Sequence, residues 1–328
     1  MSNAQPDSKP FLFFAASLAS CGAVCVSNTF EVVKTRLQLQ GELARLDSSA
    51  PRPYKNVVQA LFLILRKEGP MALQKGLGCA FLYQTCLNGI RVGMYEPIKN
   101  GVSAALAPRP GSSSQGPNML MVSILSGSIA GVLGAYAGSP FYLVKTRLQS
   151  SSNFAQIGTQ HNYPSMTAAF RSIYKENGIR GLYQGVSAAC LRVGIGSPVQ
   201  LVSYDYCKKF FSSYFDRRSL AAGIKNADNS FKTVLCSSMM SSLFLVTAMN
   251  PFDVISTRMY NQKKDPVTKK GVLYSGLFDC IVKTARTEGF RGFYKGIFAH
   301  YFRVGPHTIL MFVFFEQIKS IKNRYFSK

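Results

Sequence analysis

The stretch TFEVVKTRLQ at residues 29–38 returns as PFYLVKTRLQ at 140–149 and as PFDVISTRMY at 251–260. The arginines Arg36, Arg147 and Arg258 stand 111 residues apart in both intervals. Other landmarks keep step: EGPMALQKG at 68–76, NGIRGLYQG at 177–185 and EGFRGFYKG at 288–296, then YEPIK at 95–99, YDYCK at 204–208 and FEQIK at 315–319. Self-similarity at a fixed period marks repeated structural units. It overrides the prior of two soluble domains that a length of 328 residues would suggest. Three units follow, at 11–110, 111–222 and 223–328, which together form one structural whole.

Each unit opens on a long uncharged or nearly uncharged segment: 11–30, 111–144 and 233–252. Each reaches the roughly 20 residues that span a bilayer core as a helix. The second half of each unit holds an apolar segment of similar length, 76–94, 184–204 and 296–315, interrupted by Arg91, Arg192 and Arg303. Buried helices of a large soluble protein would also read as apolar runs. The pairing of spans decides against that: every uncharged span is followed by a basic amphipathic connector and then by an arginine-bearing span. Arginine at membrane depth costs several kcal/mol, about 2.5–3.5 on insertion scales, unless it faces water or a partner. Three such arginines predict six transmembrane helices around a polar path, an all-α membrane protein. Gly127, Gly131, Gly134 and Gly138, matched one period earlier by Ala16, Ser20, Ala23 and Ser27, predict close helix packing.

The chain carries 38 Lys and Arg against 15 Asp and Glu, a formal charge of +23. These cations are dispersed over helix ends, with no basic domain or recognition module, so a nucleic-acid partner is not expected. Attraction to an anionic lipid surface accounts for them. The connectors inside the units hold 22 Lys and Arg and those between units 8, which predicts both termini on the face opposite the basic connectors. Eight cysteines without a C-x-x-C pair, and three histidines, support neither a metal site nor a disulfide framework. No phosphate-binding glycine loop, nucleophile elbow or H-E-x-x-H points to an enzyme. The N-terminal MSNAQPDSKP has the look of neither a secretory signal nor an Arg-rich transit peptide.

Three phased copies of [E/N]-G-x5-[K/Q]-G and [F/Y]-[D/E]-x-x-K, with three copies of P-x-[D/E]-x-x-[K/R] that each depart at one position, cover nearly the whole chain, and in this the sequence resembles the mitochondrial carrier family. Within it, YQTCLNGIRVGMYEPIK, GSPVQL and YNQK resemble the oxaloacetate-carrying branch. The resemblance implies a six-helix barrel of pseudo-threefold symmetry with three short matrix-side helices, acting as a monomer in the inner mitochondrial membrane. It implies alternating access to one central site and termini in the intermembrane space. No cofactor is expected, and cardiolipin is the expected bound lipid.

The resemblance also assigns gates. On the matrix side Glu31 should pair with Lys145 and Asp253 with Lys34, whereas the third pair is replaced by Tyr142 and Ser256. Losing one partner would strand a charge; losing both removes cost and gain together. Thr29 replaces the proline expected in the first repeat, leaving its kink open, while Gln38 and Gln149 occupy bracing positions and Tyr260 takes the third. On the cytoplasmic side Glu96 should meet Lys208, Asp205 should meet Lys319 and Glu316 should meet Lys99, beside Tyr95, Tyr204 and Phe315. Three bridges against two make the cytoplasmic latch the expected stronger one.

Thirteen residues before each cytoplasmic gate acid stand Tyr83, Arg192 and Arg303. Two guanidiniums at one depth make an anion site, since each is a planar fork suited to a carboxylate. Gln84, Asn88 and Arg91 share one face of their helix, and His300, Arg303 and His307 share one face of theirs. Arg91 is expected either to draw anions inward or to act as a structural partner for the Glu96 region. The histidines are read as helix-packing groups or as partners for a keto oxygen or a co-transported proton. Val193, beside Arg192, leaves room for a hydrophobic portion of the substrate, and Gln200 completes the expected set. The expected function is transport of small organic anions of the oxaloacetate, dicarboxylate or sulfate class, by exchange or proton symport. An uncoupling-type fatty-acid anion or proton carrier and a non-transporting adaptor are the alternatives.

Overall fold

A computed structural model describes residues 9–43, 53–107, 118–155, 157–221, 230–265, 268 and 270–326. Among them the chain is helical, and extended pairing is confined to one bridge between Lys264 and Gly271. The helices are α1 (Lys9–Leu39), α2 (Val57–Glu68), α3 (Leu77–Ala105), α4 (Met119–Ser150), α5 (Met166–Leu182), α6 (Val186–Ala221), α7 (Ser230–Asn261), α8 (Leu277–Gly292) and α9 (Ile297–Phe326), with a 3-10 turn at Pro70–Gln74. The order long, short, long recurs three times. The long helices pack α1 on α3, α3 on α4, α4 on α6, α6 on α7, α7 on α9 and α9 back on α1, closing a ring. This is the six-membered arrangement that the repeat implies, with α2, α5 and α8 gathered at one face, the short-helix face.

Four helices, α1, α4, α6 and α7, are long and apolar enough to cross a membrane by composition alone. Helices α3 and α9 complete the ring but carry Arg91, Glu96 and Lys99 or His300, Arg303 and His307 along their length. The stripe of small residues on α4 does bring backbones together: a Cβ on Gly134 would meet Leu87 at 3.0 Å, and one on Gly138 would meet Tyr83 at 2.8 Å.

Local chemistry fixes the short helices. Asn56 caps α2 by accepting from the Gln59 amide at 2.8 Å, and Ser165 caps α5 by accepting from Ala168 at 3.2 Å. Each buries an i, i+4 pair against the ring: Ala60 and Ile64, Ala169 and Ile173, Cys280 and Thr284. The two glycines of the E-G-x5-K-G element both adopt left-handed backbone in every copy, Gly76 at φ 75°, Gly185 at 79° and Gly296 at 73° being the second of each pair. There the chain turns from short helix into long helix, hard against the neighbouring repeat: a Cβ on Gly76 would lie 3.2 Å from the Lys145 carbonyl.

An arginine near the end of each of α1, α4 and α7 ties that turn down, in two ways. Arg36 forks onto Glu68 at 2.6 and 2.9 Å, and Arg258 grips Glu288 at 2.7 and 2.8 Å. Lys75 and Lys295 add a second cation to Glu68 and Glu288. Burial works against these two carboxylates, but the guanidinium hydrogen bonds outweigh it and hold both below the usual range. In the second repeat the acid is Asn177 and the lysine is Gln184, so Arg147 binds neutral oxygens: Gln184 Oε1 at 3.1 Å and the Tyr260 and Gln262 carbonyls at 3.2 and 3.3 Å. Acid and base have again been lost together.

Candidate functional site

Inside the ring α3, α6 and α9 present equivalent residues in levels. Nearest the short helices come Ala80, Ala189 and His300; then Tyr83, Arg192 and Arg303; then Asn88, Ser197 and Thr308; then Arg91, Gln200 and Met311; and finally Tyr95, Tyr204 and Phe315. A chamber of about 190 Å³ is bounded by members of the middle three levels, together with Gln84, Val193 and His307. It joins a wider one of about 400 Å³ that runs past Arg91, Tyr95 and Tyr204 toward the ends of the chain. Leu245 and Met249 of α7 and Val304 of α9 give the inner chamber an apolar wall beside Val193.

Below the arginine level the path is shut. Lys34 meets Asp253 at 2.6 Å and Lys145 meets Glu31 at 2.6 Å, all four side chains almost fully buried. These are the two pairs expected from the sequence. Gln38 donates to Asp253 at 2.8 Å and accepts from Thr257 at 2.9 Å, so it braces its bridge. Gln149 does not brace in that way. It donates to Asn28 at 3.0 Å and accepts from Thr35 at 3.3 Å, one helix turn from the Glu31 bridge.

The third sector of the gate is aromatic. Tyr142 sits with its ring 5.0 Å from Tyr83 and 5.1 Å from Tyr260, and the Arg192 guanidinium lies 5.1 Å from the Tyr142 centroid. Tyr260 is fixed by a 2.9 Å hydrogen bond to Ser139. Cation–π contact of this kind is worth about 2 kcal/mol when desolvated. It fills the space that an ion pair would take, while Ser256 Oγ is buried without a hydrogen-bond partner among the described residues.

Arg192 and Arg303 lie between the chamber and the buried ion pairs. Arg192 Nη1 stands 3.6 Å from Asp253 Oδ1 and donates through Nη2 to the Tyr83 hydroxyl at 3.3 Å. Arg303 Nη2 stands 3.6 Å from Glu31 Oε1. At these separations neither contact with a carboxylate is a formed hydrogen bond. Both forks retain capacity for an incoming anion.

His300 takes the helix-packing alternative rather than lining the chamber. It shares a helix with Arg303 but lies one turn nearer the short helices, fully buried at the level of the gate, its Nδ1 3.8 Å from Asp253 Oδ2. Asn250 donates its amide to the Phe293 carbonyl at 2.7 Å, which turns its oxygen toward His300 Nδ1 at 3.1 Å. That acceptor requires the proton on Nδ1, and Nε2 is left without a partner among the described residues. His307 does line the chamber and pairs with Ser27 at 3.1 Å.

At the other mouth two of the three expected bridges are not made among the described residues. Glu96, Lys208 and Glu316 are exposed, and among the described residues no ion pair joins Glu96 to Lys208 or Glu316 to Lys99. Asp205 is half-buried, and Lys319 lies 5.5 Å from the Phe315 ring. Tyr95 and Tyr204 line the open cavity.

Sequence reasoning missed Glu42, which lies in the turn after α1. Tyr274 donates to it at 3.0 Å, and the next residue, Leu43, takes a left-handed φ of 58° and donates its amide to Glu288 at 2.9 Å. Burial pushes the Glu42 carboxyl up to about 7, against the pull of Arg258 and Tyr274. The turn thus clasps repeat 1 to repeat 3. The corresponding positions, Asn153 and Lys264, carry no acid, so no repeat signal marked it.

Comparison with known proteins agrees with this architecture. The model of the family described as mitochondrial carrier protein matches three times, at 7–105, 117–215 and 227–326. The chain is similar to the mitochondrial citrate transporter E of Aspergillus niger, 43% identical with 95% of this chain and 93% of that protein covered. It is 44% identical to the mitochondrial oxaloacetate transport protein of Schizosaccharomyces pombe, covering 94% and 90%. It is 42% identical to solute carrier family 25 member 35 of Mus musculus, covering 95% and 99%. Three matched repeats, a closed ring of six long helices and relatives that are carriers rather than enzymes lead to one assignment: the chain belongs to the mitochondrial carrier family, solute carrier family 25.

Proposed function

We propose that this protein carries small organic di- and tricarboxylates of the oxaloacetate class across the inner mitochondrial membrane by alternating access. The observation that carries the reading is the pair Arg192 and Arg303 at one level beneath an open cavity, each within 3.6 Å of a gate carboxylate. An entering dianion offers those forks better acceptors than Asp253 and Glu31 at their present distances. As the arginines turn to the anion, each carboxylate loses a neighbouring cation, and the gate is held by its lysine bridges alone. Binding energy thereby lowers the barrier to opening, which is the differential interaction a conformational change needs. The apolar wall of Val193, Leu245, Met249 and Val304 receives the carbon skeleton.

The excess of Lys and Arg in the connectors within the units supports a short-helix face in the matrix and termini in the intermembrane space, and so a reading of this conformation as open to the intermembrane space. The protein acts as a monomer, since the path lies within one ring, with cardiolipin as the bound lipid. Exchange and proton symport both fit this path. The test is uptake of labelled oxaloacetate, malate, malonate, citrate, sulfate and phosphate by proteoliposomes loaded with unlabelled anion. Saturable uptake of the carboxylates is expected; no uptake with any of them overturns the reading.

A further inference from the structure

The level Arg91, Gln200 and Met311 lies two helical turns, about 12 Å, above Tyr83, Arg192 and Arg303 on the open side. All three side chains border both chambers. Arg91 is the single charged residue bordering the wider one among the described residues. The two inner arginines have carboxylates of this chain beside them, Asp253 and Glu31. Arg91 has none: among the described residues it forms no ion pair or hydrogen bond, and Glu96, its nearest expected partner in sequence, points away to solvent. A structural pairing with the Glu96 region is therefore not made in this conformation.

An uncompensated guanidinium at the neck between two chambers is, among the described residues, the one cation bordering the path from the wider chamber to the inner one. The rest of its level is one amide and one thioether, enough to hold one carboxylate group and too little to hold two. Resting on the carrier reading above, we propose that Arg91 and Gln200 form a separate outer loading station. It takes one carboxylate of the incoming anion and passes it to the Arg192–Arg303 pair. The station belongs to the open mouth alone. When access alternates, the levels of Tyr95, Tyr204 and Phe315 close over it, and an anion arriving from the short-helix face reaches the inner pair without meeting Arg91.

That asymmetry separates a loading station from a structural residue. Arg91→Gln and Arg91→Lys are reconstituted and initial uptake rates are measured against anion concentration from each face, in right-side-out and inside-out proteoliposomes. For Arg91→Gln, KM from the terminal face is expected to rise about tenfold, the effect of one charge-assisted contact, with maximal rate retained and KM from the short-helix face unmoved. Arg91→Lys restores most of the affinity. Rising ionic strength should weaken uptake from the terminal face in the unmodified protein and much less in Arg91→Gln. An unchanged KM, an equal rise from both faces, or a fall in maximal rate at constant KM each overturns the station. Failure of the unmodified protein to take up any anion is a different result, since it removes the carrier reading itself.

Discussion

Arg192 stands 3.6 Å from Asp253 while its guanidinium also covers the Tyr142 ring, so one side chain touches the anion chamber, the ionic gate and its aromatic sector. Arg303 repeats half of this arrangement with Glu31 at 3.6 Å. On the proposed reading, substrate binding and gate release draw on the same two guanidiniums. Asp253→Asn, which removes the carboxylate but keeps its shape, should leave the gate weakly held on its Lys34 side. Exchange at saturation is expected to change by about tenfold, with anion affinity raised because Arg192 no longer has a competitor; a KM that moves upward would contradict this.

The missing third bridge can be restored. Tyr142→Asp together with Ser256→Lys places acid and base in the sector now filled by tyrosines. With an added ion pair the gate should open less readily, and exchange turnover should fall about tenfold, corresponding to roughly 1.4 kcal/mol on the opening step. Turnover equal to that of the unmodified protein, with the double variant still folded in detergent, would show that this sector does not limit opening.

Much of this was legible in the chain. The 111-residue period and the paired spans led to three units and six helices around a polar path, and the family resemblance led to Glu31–Lys145 and Lys34–Asp253, both found at 2.6 Å. Charges carry this information because an apolar helix can hold few of them, and each must be answered. What remained hidden has the converse cause. Leu245 and Met249 line the chamber from α7, but apolar residues in a uniformly apolar helix carry no mark of the side they face. His300 keeps helical step with Arg303, yet one turn places it beside Asp253 in the shut gate, and only the conformation decides that. The gate with fewer expected ion pairs is the closed one here, and its third sector is filled by Tyr83, Tyr142 and Tyr260, ring contacts that spacing does not encode.

The arginine locks at the short-helix face differ between repeats, and their removal should too. Glu288→Gln leaves Arg258 and Lys295 without their carboxylate, and breaking such a buried pair costs about 3–5 kcal/mol. Asn177→Ala, at the corresponding place in the second repeat, removes no charge partner and should cost less than about 1 kcal/mol. Thermal unfolding in detergent compares them; equal losses would contradict the difference between the repeats.

Glu42 gives the protein a pH dependence with a definite sign. Its carboxyl is raised from 4.5 to about 7 by burial, so the folded chain holds this proton more tightly than the unfolded one. The stabilisation is complete below about 4.5 and is lost as pH rises through about 7. The unfolding midpoint should accordingly fall between pH 6 and pH 8, by roughly 2–4 °C for each kcal/mol involved. Glu42→Gln should flatten that interval. A slope unchanged in the variant would assign the effect to another group.

The central claim is that Arg192 and Arg303 hold the transported anion. Its most direct measurement is the initial rate of labelled dicarboxylate uptake into proteoliposomes by the unmodified protein, Arg192→Gln and Arg303→Gln, each verified as folded by its unfolding transition. The account predicts saturable uptake by the unmodified protein and a loss of about a hundredfold or more in kcat/KM in each variant, the consequence of removing one charged hydrogen-bonding partner from a desolvated site. Uptake by Arg303→Gln at the rate of the unmodified protein would contradict it.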